Sequence, residues 1–155
     1  MDGWGEIIRE HGPAAFAAAW RILGDAAHAE AAAEEIFRQA REAGMPPEGR
    51  RCCWGTLFRR LAVRCALARL QEHAALRRRP DPAGRLRAAL ARLPGDEAAA
   101  FALRYFEDLP TEQIAGTLRL GEAAVILALS RARVRLDSML RETVEQRADA
   151  PPGAA

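Results

Sequence analysis

The chain has no lysine: its 23 basic residues are all arginine, against 21 acidic residues. That choice can reflect a GC-rich genome as readily as phosphate recognition, so arginine usage alone selects no partner. Cysteine is scarce, with only Cys52, Cys53 and Cys65. Adjacent cysteines seldom pair with each other, and an odd count suits a reducing compartment. No CxxC is present, and His11, His28 and His73 lack the spacing of metal ligands, so no metal or other cofactor is expected. No apolar run approaches the roughly 18 residues that a membrane span needs. The opening MDGWGEIIRE lacks the basic-then-apolar pattern of a secretory signal. The expectation is a cytoplasmic chain without membrane insertion. Carboxylates are plentiful, yet no carboxylate pair, nucleophile–base set or glycine-rich phosphate loop stands out, which argues against an enzyme.

What is present is alanine, arginine and helical periodicity. The 155 residues suffice for one domain or two small ones. Half are hydrophobic, but many of these are alanine, which suits helices meeting in narrow seams better than one thick core. The net charge of +2 conceals a segregation. Residues 1–47 hold 4 arginines against 8 acidic residues, and residues 48–79 hold 9 against 2, so the second segment is strongly basic. Such a block reads either as an electrostatic footprint for a polyanion or as a solvated helix face.

Apolar residues recur at three and four throughout, and no segment alternates with period two for long, so an all-α fold is expected. Phe16, Trp20 and Leu23 mark one helix, ended by Gly24. Ala29, Ala32, Ala33, Ile36, Phe37 and Ala40 mark a second, with Asp25 near its start and Gly44-Met-Pro-Pro after its end. Trp54, Leu57, Phe58, Leu61, Cys65 and Leu70 mark a third. LRRRPDPAG then carries two prolines and a glycine and reads as a linker over 76–84. Leu86, Leu90 and Leu93 mark a fourth helix, broken at Pro94-Gly95. Asp96 and Glu97 open a fifth, where carboxylates complement the helix dipole; it carries Phe101, Tyr105 and Phe106. Pro110 fits a first helical position, Ile114, Ala115 and Leu118 form a short stripe, and a long helix follows the break at RLG. Two helices joined by so short a turn form the helix-turn-helix pattern.

In EAAVILALSRARVRL, Val125, Leu129, Ala132, Leu136 and Met139/Leu140 fall at core spacing. Ile126 instead shares a face with Ser130 and Arg133, and Leu127 with Arg131 and Val134. The first turns of such a helix face base edges in the major groove, and arginines further along reach phosphates. Ile126 and Leu127 therefore either lie against DNA or pack on a neighbouring domain or partner.

These residues, taken together, resemble the bacterial RNA polymerase sigma factors of the extracytoplasmic-function group in the sigma-70 family. HGPAAFAAAWRILGDAAHAEAAAEEIFRQA is similar to the block that binds the polymerase clamp. LFRRLAVRCALARL is similar to the helix that melts and reads the −10 element. LRAALARLPGDEAAAFALRYFEDLPTEQIAGTLRLGEAAV and the LSRARVRL after it are similar to the domain that reads the −35 element. The resemblance implies a region 2-like domain over 1–75, a linker over 76–84, a region 4-like domain over 85–147 and a disordered tail over 148–155. It implies a non-catalytic subunit that directs polymerase core enzyme to promoter DNA, with an anti-sigma factor as a further partner. Carried over residue by residue, polymerase contacts fall on Glu30, Glu34, Glu35 and Phe37. Contacts to the −10 element fall on Trp54, Phe58, Arg59, Arg60, Arg64 and Arg69, with core packing the alternative for Phe58. Those to the −35 element fall on Thr111, Ile126, Leu127, Ser130, Arg131 and Arg133. The arginine-rich linker resembles the segment that threads through polymerase near the RNA exit path.

There are departures from the family pattern. The usual acidic residue and glutamine fall at Ala31 and Glu34, and a common asparagine and aspartate at Arg64 and Ala68. The polar and basic run of the recognition helix is apolar here at Ile126, Leu127 and Ala128. The turn glycine falls at Arg119, which implies about 1 kcal/mol of left-handed strain if the backbone is kept. A polar side chain reading a base edge is worth about 1–3 kcal/mol of discrimination, so these losses weaken direct readout. Thymine methyl contacts and DNA shape are the remaining routes to it. A sigma-like module that reads promoters poorly and binds an anti-sigma factor or polymerase is the alternative function.

Overall fold

A computed structural model describes residues 3–44 and 51–153, the side chains of 51–53 excepted. Met45, Pro46 and Pro47, expected to end the second helix, lie outside the described residues, as do the side chains of Cys52 and Cys53. The described residues form eight helices and no strand: α1 (Gly3–Leu23), α2 (Ala26–Glu42), α3 (Arg51–Glu72), α4 (Ala74–Arg77), α5 (Pro82–Leu90), α6 (Gly95–Tyr105), α7 (Thr111–Leu118) and α8 (Glu122–Ala148).

Helices α1, α2 and α3 pack on one another as a bundle. Ala15, Ala18, Ala19, Ala29 and Ala32 are all buried, and such small contact residues let helix axes approach closely. Gly24 separates α1 from α2 with φ of 64°, a left-handed conformation that glycine adopts without penalty. Asp25 caps α2, its carboxylate accepting from the His28 amide at 2.9 Å. Trp20 departs from the expected apolar stripe and is 51% exposed. The stripe that is buried runs through Ala15, Ala18, Ala19, Ile22 and Leu23, because alanine supplies the close contacts.

The expected linker is mostly helical. Only residues 78–81 lie outside helices between α4 and α5. Pro82 sits in the first turn of α5, where its missing N–H costs nothing. Asp81 caps that turn, accepting from the Gly84 amide at 2.7 Å. Gly84 is needed for space, since a Cβ there would run into the Arg79 carbonyl. The two prolines and the glycine thus start a helix here, whereas their composition suggested none. Pro110 likewise caps α7 from outside, and Thr111 is its first residue.

One apolar core crosses the whole chain. Ile22, Leu23, Val63, Leu67 and Leu70 from the bundle share a cluster with Leu90, Leu103, Ile114, Val125 and Leu136. Helix α3 packs on α5, α6 and α7. Burying each leucine or isoleucine of this kind contributes about 1.5–3 kcal/mol. Polar links cross the same seam: Arg21 pairs with Glu107 at 2.6 Å, Arg64 with Asp96 at 3.4 Å, and the Arg87 Nε–H donates to the Ile22 carbonyl at 2.8 Å. A second cluster is confined to the bundle, where Trp54 and Phe58 pack with Ile36, Ala40 and Ala62 beneath Trp4, Ile7 and Phe37.

Candidate nucleic-acid interface

Helices α7 and α8 meet at 103°, within the range of helix-turn-helix pairs. The turn depends on Arg119, which adopts φ 57° and ψ 43°, the left-handed region anticipated from the displaced glycine. The Leu120 amide donates to the Ala115 carbonyl at 3.0 Å and closes the turn. The buried Thr117 hydroxyl donates to the Gln113 carbonyl at 2.7 Å, so it leaves no unpaired polar group inside.

Helix α8 buries Val125, Ala128, Ala132 and Leu136, with Leu129 at the edge of this stripe. Ala128 therefore belongs to the core. Its apolar character follows from burial, and it is no lost DNA-reading position. Ile126 and Leu127 remain the anomaly, at 59% and 49% exposed. Ile126, Ser130 and Arg133 line a cleft of about 530 Å³ together with Thr111, Leu129, Arg104, Tyr105 and Val134. Leu127 and Arg131 are exposed on the adjoining face. Four of the six expected −35 residues therefore come together in one cleft, and the other two flank it.

Arg104, Tyr105 and Val134 were not anticipated in this cleft. Arg104 donates to the Leu109 carbonyl at 3.1 Å, and Tyr105 packs on Phe101 with ring centroids 4.5 Å apart. Tyr105 shares an apolar spacing with Phe101, which disguised it as a core residue. It is exposed because α6 ends there.

The basic helix α3 is disposed otherwise. Trp54 and Phe58 are buried within the bundle, Phe58 stacked on His11 at 5.7 Å and 5.8 Å from Phe37. Their rings already face other side chains, so in this arrangement they present no stacking surface to an unpaired base. Arg64 reaches Asp96 across the seam. Arg60 is held below its ordinary pKa by burial and by the neighbouring charges of Arg119 and Arg64. Arg59 is half-buried. Arg69 turns to the opposite side, its guanidinium 3.2 Å from His28 Nδ1. The six expected −10 residues thus do not form one surface.

Arg69 instead lines a groove between α2 and α3 with Glu34, Glu35, Arg38, Gln39 and Cys65. Hydrogen bonds from Arg38 and Gln39 hold the Glu35 carboxyl at about 2, well below its ordinary value. Burial pushes the Cys65 thiol up to about 11, so it stays protonated and unreactive near neutrality. Glu30 is exposed on α2 outside this groove, and Phe37 packs partly into the aromatic cluster. Among the described residues no group of three or more histidine, cysteine or acidic side chains could hold a metal ion. No single described helix is long and apolar enough to cross a membrane.

A near-right-angled helix pair with an exposed, arginine-bearing second helix is a helix-turn-helix arrangement. Residues 83–136 match the family model for sigma-70 region 4. The whole fold is similar to that of the sigma factor RpoE from Bartonella quintana, solved in complex with the anti-sigma factor NepR. That likeness has a TM-score of 0.54 at 16% identity and covers 91% of this chain and 98% of the other. No curated protein matches the chain in sequence. The sequence likeness to the sigma-70 family thus covers residues 83–136, in the C-terminal half of the chain. The likeness to the RpoE structure is one of fold, and it takes in the bundle of α1, α2 and α3 as well.

Proposed function

We propose that the chain is a sigma subunit that docks on RNA polymerase core enzyme through the α2–α3 groove and Glu30, contacts the −35 element through the α8 cleft, and engages and melts the −10 element through α3. In this reading residues 1–75 act as region 2, residues 85–147 as region 4, and 76–84 as the connection between them, all in the cytoplasm. The observation that carries it is the α8 cleft, where Thr111, Ser130, Arg104 and Arg133 gather hydroxyl and guanidinium donors beside an exposed recognition helix. Such groups position a protein on the phosphate backbone.

The closed arrangement has a consequence for this function. A chain of this size packed as one body is roughly 40 Å across, from a radius of gyration of about 15 Å. Elements centred about 25 base pairs apart lie about 85 Å apart along B-form DNA. The closed chain cannot touch both, so docking on polymerase must part α3 from α6 and α7. Parting them also frees Arg60 and Arg64.

The exposed pair Ile126 and Leu127 favours a second reading, in which an anti-sigma factor covers this helix and promoter readout is weak. A run-off assay with core polymerase separates the two. A transcript from the promoter upstream of the chain's own gene is the expected result. Polymerase binding without any transcript would leave the regulatory-module reading, and no polymerase binding would overturn the sigma-subunit reading.

A further inference from the structure

Six arginines converge on a cleft that neither the α8 cleft nor the α2–α3 groove includes. Arg77 ends α4, Arg78 and Arg79 come from the connection to α5, Arg85 and Arg92 from α5 and the turn after it, and Arg147 from the last turn of α8. The cleft holds about 270 Å³, and no acidic side chain lines it. Among the described residues none of the six forms an ion pair. Arg79 and Arg85 reach only neutral acceptors, the Gly24 carbonyl at 3.5 Å and the Pro80 carbonyl at 3.2 Å. The Arg77 Nε–H is buried without an acceptor. Asp81, which falls between Arg79 and Arg85 in sequence, already accepts the Gly84 amide at the start of α5.

Like charges gathered in one concavity repel each other and raise the local concentration of anions. A guanidinium offers a fork of donors that suits phosphate. The density of charge narrows the ligand further. Nucleic-acid backbone carries one charge per phosphate along an extended strand, so a cleft this small would meet only one or two of them. Phosphates joined directly to one another put three or four charges in the same space. Met139 and Thr143 on α8 complete the wall with a mixed apolar and hydroxyl surface that a nucleobase could contact.

We propose that the arginine cleft between the α4–α5 connection and α8 binds a ligand with several directly linked phosphates, either a nucleoside triphosphate or an inorganic oligophosphate. The ligand bridges the connection at Arg77–Arg79 to the C-terminal half of α8.

The test is calorimetric titration of the full chain with sodium tripolyphosphate, ATP, GTP and orthophosphate at near-physiological salt. Tripolyphosphate should saturate one site and bind at least about tenfold more tightly than orthophosphate, because charge-assisted bonds accumulate along the chain of phosphates. ATP or GTP binding more tightly than tripolyphosphate identifies the nucleotide as the source, and equal or weaker binding identifies the inorganic form. The double variant Arg78→Ala, Arg92→Ala should weaken tripolyphosphate about tenfold or more. If that variant does not fold, Arg85→Gln, at a half-buried position of α5, carries the same expectation at a smaller size. Arg131→Ala with Arg133→Ala, on the recognition helix, should leave binding unchanged. Absence of saturable binding, equal affinity for orthophosphate and tripolyphosphate, or equal losses in the two double variants would overturn the proposal. So would displacement of tripolyphosphate from the cleft by a single-stranded oligonucleotide at lower concentration.

Discussion

The two helices expected to read DNA fail to present a reading surface for opposite reasons. Helix α3 carries the right charges, yet its arginines are split between an internal seam and the α2 groove, and its aromatic residues are buried. Helix α8 is open to solvent along its first turns, yet shows isoleucine and leucine where polar groups would read bases. The first is a matter of arrangement, which a partner can reverse by parting the halves. The second is a matter of covalent identity, which no rearrangement changes. Acting as the proposed sigma subunit, the chain would depend on polymerase to expose one surface and on shape, methyl or protein contacts at the other.

The largest effect should come from breaking the shared core. Leu103→Ala lies in the C-terminal half and empties a fully buried site, at a cost of about 2–5 kcal/mol. Trp4, Trp20 and Trp54 all lie in the bundle. If the halves unfold as one body, tryptophan emission and far-ultraviolet circular dichroism shift together in this variant. An emission midpoint that stays in place would show that the seam does not couple them.

Restoring polarity to α8 sharpens the other side of the comparison. Ile126→Lys with Leu127→Arg should raise promoter-DNA affinity by about 1–3 kcal/mol, more at low salt, as read by fluorescence anisotropy across a salt series. Ala128 must be left alone, because it is buried and a charged residue there would be forced into the core.

Two smaller effects start from residues of the C-terminal half. Glu97 is buried, with Arg135 3.3 Å away as its ion-pair partner. Arg135→Ala should cost about 1–2 kcal/mol in urea unfolding, the arginine's own exposure keeping the loss below that of a fully buried pair. Arg119→Gly should stabilise by up to about 1 kcal/mol, since it relieves the left-handed residue and removes a charge facing Arg60. An unfolding midpoint that does not rise would mean that the Arg119 side chain makes compensating contacts.

The smallest effect is in the bundle. Glu35 has a depressed carboxyl, so its contribution is present above its ordinary value of 4.5 and is lost as pH falls through about 2. Glu35→Gln should cost under about 1 kcal/mol at neutral pH, because the side chain is partly exposed. The difference from the parent chain should close as the solution is acidified through that window. A gap that is independent of pH would assign the loss to packing.

Much of the architecture was legible from spacing. Helix periods and the Asp25 cap were readable because capping is local and because a helix repeats its buried face every three to four residues. The left-handed turn at Arg119 was legible only through the family resemblance, as the position of the displaced glycine. The α8 cleft was half-legible: Thr111, Ile126, Ser130 and Arg133 could be named, but Arg104 and Tyr105 could not, because they join it from another helix. The linker was misjudged because proline and glycine signify a break in composition but also suit the first turn of a helix when an aspartate precedes them.

By itself, then, the sequence determined the all-helical class, the segregation of charge, the helix-turn-helix and the apolar identity of Ile126 and Leu127. These are written in local periodicity and in covalent side-chain identity. Tertiary structure alone decided that Ala128 is core, that Trp54 and Phe58 are buried, that Arg60 and Arg64 face the other half of the chain, and that six arginines from three segments surround one cleft. Burial and convergence depend on which elements meet, and contacts between residues far apart in the chain leave no period in the sequence.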